Sequence, residues 1–336
     1  SKAPKNLQSF CGSFVNLVYQ LAANWAGATA TVEFLMYFDY FARKQYGPNY
    51  LNVAKDRIAQ ELQGVVYALN QPAAARGGQS VFWNISVFDK YYFDSIFGGF
   101  RFPDGTEPDY ESLNRLQKFF MEWFRKERQK ELLTYPVLTA AILLDENNRP
   151  KDTNFAWSIA WEMEKGLSFF IYESKNADSL ASCCRLRNEL ADNTFSYTLG
   201  AGGVSTGSFR VITINMNRYV QQYEGKLPFG ELISRIHKYL SAHRAVIKHY
   251  IELGMLPAYT AQFINFDTQF GTIGINGMLE AMEYKGFSPT VDKETYQQVV
   301  SKYLKAIYDL NKADMVVYGF RFNTEFVPKM RGHIAA

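Results

Sequence analysis

Apolar segments that alternate with amphipathic helical patterns constrain the fold of this chain more than any other feature. Six such segments are predicted strands, at residues 80–88, 135–144, 167–172, 211–215, 269–276 and 315–323. They are apolar at consecutive positions rather than at every second one, which is typical of parallel strands covered on both faces. Strand and helix alternate along the chain, and this order predicts an α/β sheet or barrel.

Helical periodicity accounts for much of the remaining sequence. It predicts two helices within 7–44, broken near Gly27, and further helices over 50–69, 110–130, 153–165, 227–253 and 296–311. The helices of the first 70 residues are apolar over wide faces, as expected for helices between a sheet and a partner subunit or for a plain helical layer. No internal repeat or low-complexity linker interrupts the 336 residues, so we predict one domain.

Composition excludes several classes of function. The net charge of +3 is too small for a dedicated nucleic-acid binder, so small molecules or proteins are the expected partners. The longest apolar run, residues 137–144, is far shorter than the roughly 20 residues of a membrane helix. The N-terminus lacks the apolar core of a signal peptide, and three cysteines cannot form a disulfide framework. These features predict a reducing, cytoplasmic compartment without a membrane partner.

The sharpest chemical feature is the adjacent pair Cys183 and Cys184, which a glycine-rich stretch at 200–208 follows. A cysteine pair on a loop is either a reactive group or a buried apolar filler. The glycine stretch lacks the dinucleotide and Walker spacings, so it either cradles phosphate with its backbone N–H groups or is a flexible connection.

The histidines do not indicate a metal site. His237, His243 and His249 are six residues apart, about 600° of helical rotation, so successive members lie on different faces. We interpret them as solvated or hydrogen-bonded helix residues. The sequence also lacks the Gly-x-Ser-x-Gly signature of a nucleophilic serine.

Eight short segments, taken together, resemble one enzyme family. They occur in the order in which similar segments occur in the anaerobic (class III) ribonucleoside-triphosphate reductases. The segments are NWAGATA at 24–30, DYF at 39–41, LNQP at 69–72, GGQSVFWN at 77–84, SCCR at 182–185, TIN at 213–215, GTIGING at 271–277 and NTEFVP at 323–328.

This resemblance implies a ten-stranded α/β barrel of the ribonucleotide reductase and pyruvate formate-lyase type, incomplete in this chain. Residues 1–70 would form a helical dimer and allosteric face, 76–328 the barrel strands and the radical-cysteine loop, and 329–336 a divergent tail. The implied function is the catalytic core of a reductase that converts ribonucleoside triphosphates to deoxyribonucleoside triphosphates. Cys184 would carry a thiyl radical that takes the 3′-hydrogen, and Cys183 would take part in thiol chemistry.

The resemblance also implies binding residues. The residues expected at the substrate are Gln79, Ser80, Asn84, Arg185, Gly202, Gly203, Ser205, Ser208, Asn323 and Glu325. Asn24 and Asp39 are expected at an allosteric nucleotide site. No metal ligand is predicted, since the four-cysteine zinc site of the family does not occur in this sequence.

The implied cofactor is a glycyl radical on a segment absent from this chain, generated by an activating enzyme that uses S-adenosylmethionine and an iron–sulfur cluster. Other expected ligands and partners are allosteric ATP or deoxynucleotides, a complementary C-terminal segment that carries the radical glycine, and a second copy in a homodimer. Ser182 and Ser208 stand where formate-using members carry methionine and asparagine, which leaves the reductant open between a thiol protein and formate.

Two alternatives remain at this stage. One is a pyruvate formate-lyase relative, because adjacent cysteines also occur in those enzymes. The other is a non-catalytic module that binds nucleotide or completes a complex. The resemblance covers only the central part of a reductase, which is expected for a fragment or for one product of a split gene.

Overall fold

The structure of the protein is a computed structural model that describes residues 3–23, 28–72, 78–175, 179–181, 187–189, 208–262 and 264–326. The chain divides into two compact units, residues 1–204 and 205–336. Each unit has its own parallel sheet and its own hydrophobic core. The predicted α/β class is therefore confirmed, while one domain over 1–336 stays a prediction.

Unit 1 is built on a four-stranded parallel sheet with the order β1-β2-β3-β4. Its strands are β1 Thr29–Ala30, β2 Trp83–Phe88, β3 Val137–Leu143 and β4 Phe169–Ser174, and a short antiparallel pair follows with β5 Ser179–Ala181 and β6 Arg187–Glu189. Its helices are α1 Leu7–Ala22, α2 Phe34–Tyr46, α3 Tyr50–Val53, α4 Lys55–Asn70, α5 Lys90–Phe97, α6 Tyr110–Lys130 and α7 Thr153–Glu164.

Side-chain caps fix where several of these helices begin. Asn6 forms a capping box with Ser9 at the start of α1. The carboxylate of Asp109 accepts hydrogen bonds from two backbone N–H groups in the first turn of α6. Asp89 caps α5 and also accepts from the backbone N–H of Leu143, so its buried carboxylate ties α5 to β3.

Aromatic packing joins the helices of unit 1 to one face of its sheet. The indole of Trp83 on β2 lies 5.7 Å from the ring of Phe14 on α1 and 5.4 Å from the ring of Phe34 on α2. Side chains alternate between faces along a strand. Ile85 and Val87 therefore lie on the same face as Trp83, and all three are fully buried.

Unit 2 is built on a three-stranded parallel sheet with the order β7-β8-β9. Its strands are β7 Ser208–Asn215, β8 Phe270–Asn276 and β9 Arg321–Phe326. Its helices are α8 Met216–Arg218, α9 Phe229–Glu252, α10 Pro257–Thr260, α11 Met278–Tyr284 and α12 Lys293–Tyr318, with a π-helical turn at Tyr219–Tyr223 and a 3-10 turn at Phe266–Thr268.

Gly271 lies where β8 packs tightly against neighbouring core side chains. A Cβ at this position would lie 3.1 Å from Phe320, 3.2 Å from Phe209 and 3.3 Å from Leu240 of α9. A residue with a Cβ would therefore require these core side chains to shift by a few tenths of an ångström. The face of β8 that carries Gly271 is therefore the face that packs on α9.

One strand prediction was wrong at its start. Residues 315–323 were predicted to be a strand, but Met315 to Tyr318 form the last turn of α12, and β9 begins only at Arg321. Val316 and Val317 are 81% and 74% exposed, so the apolar run is not a buried strand. Gly319 ends the helix in the left-handed conformation, with φ of 70°.

Other boundaries differ in smaller ways. The predicted helix over 50–69 is two helices, because Ala54 leaves the helical conformation with φ of −134° between α3 and α4. The helix predicted over 296–311 extends to both sides as α12. The described residues place four parallel strands in one sheet and three in the other, so the ten-stranded barrel stays a prediction.

None of the helices that the structure describes combines the length and the apolar character that crossing a bilayer requires.

Candidate active site

A hydrogen-bonded polar cluster lies across the three strands of unit 2. The Thr272 hydroxyl on β8 donates to Oδ1 of Asn323 on β9 at 2.5 Å and lies 2.6 Å from Oγ of Ser208 on β7. Thr272 is fully buried and lies on the face opposite Gly271, because the two are consecutive in the strand. The structure therefore brings together two predicted substrate residues, Ser208 and Asn323, on the face that α9 does not cover.

Thr272 is a residue that sequence reasoning missed. It lies inside the GTIGING segment, but a threonine in an apolar strand carries no signal of its own. Glu325, another predicted substrate residue, pairs in register with Gly274, two positions beyond Thr272. Glu325 is half-buried and lies on the same face as Asn323.

We expect Thr272→Val to destabilise the protein by about 1–2 kcal/mol, since valine keeps the shape but removes the hydrogen bond to Asn323. Urea unfolding of both proteins measures this difference. The matched control is Thr213→Val on an exposed position of β7, which should change the unfolding free energy by no more than about 0.5 kcal/mol. Equal effects of the two substitutions would contradict a structural role for the cluster.

A second polar group lies in the sheet of unit 1. Nδ2 of Asn84 on β2 donates to the carbonyl oxygen of Val137 at 2.9 Å and to Oγ1 of Thr139 at 3.0 Å, both on β3. Ser86 pairs in register with Thr139. Asn84, Ser86 and Thr139 are all buried, and we call them the polar strip. The resemblance singled out Asn84 alone.

The other predicted substrate residues of unit 1 lie just before β2. Ser80 is half-buried, and its hydroxyl donates to the carbonyl oxygen of Asn70 at the end of α4. Gln79 is exposed. The structure thus gives Ser80 a local structural contact, and a substrate role for both residues stays a prediction.

Asp39 of α2 lies in the helical core of unit 1. Its carboxylate accepts from the Tyr50 hydroxyl at 2.7 Å, the Ser112 hydroxyl at 2.6 Å and Nε of Arg43 at 2.8 Å. Burial raises the pKa of Asp39, and the hydrogen bond from Ser112 and the charge of Arg43 partly oppose that rise. These three donors join α2, α3 and α6, and the predicted effector-binding role stays a prediction.

Several predicted site residues lie outside the part of the chain that the structure describes. They are Asn24, Cys183, Cys184, Arg185, Gly202, Gly203 and Ser205. Cys11 of α1 is described and is buried, at 5% exposed. Burial and the nearby Glu61 raise the pKa of the Cys11 thiol, so it remains protonated at neutral pH.

His237 of α9 has a polar partner at each of its ring nitrogens. His237 is fully buried, with Nδ1 2.6 Å from Oδ2 of Asp314 and Nε2 2.8 Å from Oδ1 of Asn311. The predicted hydrogen bonding is confirmed for this residue. Among the described residues, no group of three His, Cys, Asp or Glu side chains could hold a metal ion.

Two features define the class of this protein: parallel sheets covered by helices, and polar side chains clustered on sheet faces. It is an α/β protein with its candidate site on strands. The model of one family, anaerobic ribonucleoside-triphosphate reductase, matches residues 1–329. The chain belongs to this family, which confirms the resemblance.

Solved structures agree with this assignment. The anaerobic ribonucleotide reductase from Thermotoga maritima with citrate in the active site is 27% identical, with a TM-score of 0.74, and the match covers 98% of this chain and 61% of that one. The same enzyme in complex with dATP and CTP is 29% identical, with a TM-score of 0.75, and the match covers 97% and 55%. A further anaerobic ribonucleotide reductase is 26% identical, with a TM-score of 0.75 and coverage of 97% and 52%.

The chain therefore spans between about half and three fifths of the length of these structures. A search of curated proteins gave no match.

Proposed function

We propose that this chain is the catalytic-core part of an anaerobic ribonucleotide reductase, which converts ribonucleoside triphosphates to deoxyribonucleoside triphosphates. The observation that carries the proposal is the family match over residues 1–329. The Thermotoga maritima complex with dATP and CTP supports nucleotides as ligands. The same comparisons favour this function over a pyruvate formate-lyase relative.

Cys184 is the proposed hydrogen-abstracting residue. A glycyl radical on a further segment would take the hydrogen atom of the Cys184 thiol and leave a thiyl radical at Sγ. Sγ of Cys184 then takes the 3′-hydrogen of the ribose, and the 2′-hydroxyl leaves as water. The reductant, a thiol protein or formate, supplies two electrons and two protons in total, and Cys184 returns the hydrogen to C3′. Cys183 is the proposed partner in thiol chemistry.

The proposed substrate contacts are of two kinds, those to the triphosphate and those to the rest of the nucleotide. Arg185 would pair with the triphosphate, and Gly202 and Gly203 would approach it with backbone N–H groups. Amide, hydroxyl and carboxylate side chains would hydrogen-bond the rest of the nucleotide; they are Gln79, Ser80, Asn84, Ser205, Ser208, Asn323 and Glu325. The shared face of Ser208 and Asn323 supports a common role for these two residues.

The proposed assembly follows the family. The strands would complete a ten-stranded barrel, whose interior suits radical chemistry because it excludes water and stray hydrogen donors. Residues 1–70 would form the dimer face, with Asn24 and Asp39 at the effector site for ATP or deoxynucleotides. The activating enzyme and a segment with the radical glycine would act on the chain in the cytoplasm.

An anaerobic reconstitution tests this function. The chain is mixed with the family's activating enzyme, S-adenosylmethionine, a reductant and a polypeptide that carries the radical glycine, and dCTP formation from CTP is measured. We expect turnover that depends on every component. Binding of CTP without any turnover under these conditions would favour the non-catalytic module instead.

A further inference from the structure

Strand β2 presents two polar side chains on the sheet face opposite the one that packs on α1 and α2. Trp83 on β2 packs on α1 and α2, so the alternate positions Asn84 and Ser86 point to the opposite face. Both residues are 0% exposed. Polar side chains in such a position cost stability unless hydrogen bonds satisfy them.

The hydrogen bonds of the polar strip are incomplete. The amide of Asn84 uses both of its hydrogens, on the Val137 carbonyl and the Thr139 hydroxyl, and the Val137 carbonyl fixes which way the amide points. Oδ1 of Asn84 and Oγ of Ser86 are buried and have no hydrogen-bond partner within the described residues. Only four buried side-chain atoms in this part of the protein share that condition, and two of them lie two positions apart on this one strand.

The two oxygens select a particular kind of ligand group. Oδ1 of Asn84 only accepts a hydrogen bond, whereas the Ser86 hydroxyl both donates and accepts. A phosphate oxygen has no hydrogen to offer Asn84, and the strip itself carries no cation. A hydroxyl group fits, because it donates to one oxygen and accepts from the other.

We propose that the polar strip binds the ribose hydroxyl groups of the substrate, with Ser86 as a residue that selects ribonucleotide over deoxyribonucleotide. This inference rests on the proposed function and assigns Ser86 and Thr139 to it. Thr139 holds the Asn84 amide, so that Oδ1 faces the sugar. The product lacks the 2′-hydroxyl, loses its bond to the strip and leaves the site more readily.

Binding and stability of Ser86→Ala test the proposal in the full chain, with saturating dATP to fill the effector site. We expect the variant to bind CTP at least about tenfold more weakly and to lose most of the wild-type preference for CTP over dCTP. The control Ser158→Ala, on α7, removes a hydroxyl that is already bonded to the Phe155 carbonyl, and it should bind CTP as the wild type does.

Thermal unfolding without nucleotide separates a binding role from a structural one. Ser86→Ala should unfold at the wild-type temperature or above it, because the hydroxyl that it removes has no partner. Ser112→Ala, which removes a buried hydroxyl bonded to Asp39, should unfold at a lower temperature. If Ser86→Ala does not fold, Ser86→Cys, which nearly keeps the side-chain volume, should show the same loss of CTP affinity.

The outcomes are distinguishable. Wild-type CTP affinity in a folded Ser86 variant would overturn the inference alone and would mean that the strip holds only a trapped water. A wild-type chain that binds no CTP would overturn the proposed function, and the inference with it. Weaker CTP binding together with an unchanged unfolding temperature supports both.

Discussion

Cys184→Ser is expected to abolish nucleotide reduction, with a fall in turnover on the order of 10⁴-fold or more, as for the loss of a group that reacts directly with substrate. An O–H bond is much stronger than an S–H bond, so serine cannot take the place of cysteine as a radical carrier. The reconstituted assay of dCTP formation measures this. CTP binding by the variant should stay at the wild-type level, because the substitution removes a reacting atom and preserves size.

Cys11 provides the matched control. It is buried in α1, and its raised pKa keeps it a thiol, so Cys11→Ala should retain turnover within a few-fold of wild type. Undiminished turnover in Cys184→Ser would refute the assignment.

Cys183→Ser tests the role of the neighbouring cysteine. If Cys183 takes part in thiol chemistry, the variant should lose sustained turnover with a thiol reductant.

Asp39→Ala is expected to destabilise unit 1 by about 2–4 kcal/mol, because it leaves two buried hydroxyls and a partly buried cation without their acceptor. The hydroxyls belong to Tyr50 and Ser112, which are each 1% exposed, and the cation is Arg43. Urea unfolding followed by circular dichroism measures the loss.

Asp94→Ala is the matched control for this substitution. Asp94 also pairs with a cation four residues away, Lys90, but both side chains are more than half exposed, so the expected loss is no more than about 0.5 kcal/mol. A loss below about 1 kcal/mol in Asp39→Ala would contradict the structural role. If the effector response disappeared while stability stayed intact, the allosteric prediction would explain Asp39 better.

Strands that are buried along most of their length were predicted well. β2 and β3 are buried along their length apart from the half-buried Val137, and both lie within the predicted segments 80–88 and 135–144. Helix α6 was predicted at its observed bounds, because its apolar residues recur with helical spacing. The end of α12 was wrong because the exposed apolar run from Met315 to Tyr318 resembles a strand unless its burial is known.

The candidate site was predictable only in part. The order of motifs was enough to identify the family and to single out Asn84, Ser208 and Asn323 before their positions were known. It did not identify Thr272 or Ser86, because a hydroxyl residue in an apolar strand is common and its meaning depends on the neighbouring strands. The polar strip depends on the register and the hydrogen bonds between β2 and β3, which the sequence does not specify.

The sequence by itself determined the α/β class, most of the elements and the family, since hydrophobic periodicity and motif order are properties of the chain that need no tertiary structure. The tertiary structure alone decided which side chains meet. Ser208, Thr272 and Asn323 share a cluster because β8 pairs with β7 on one side and with β9 on the other. Asp39 bonds Tyr50 and Ser112 because α2, α3 and α6 converge there. Contacts between distant residues follow from strand register and burial, which no local pattern in a sequence specifies.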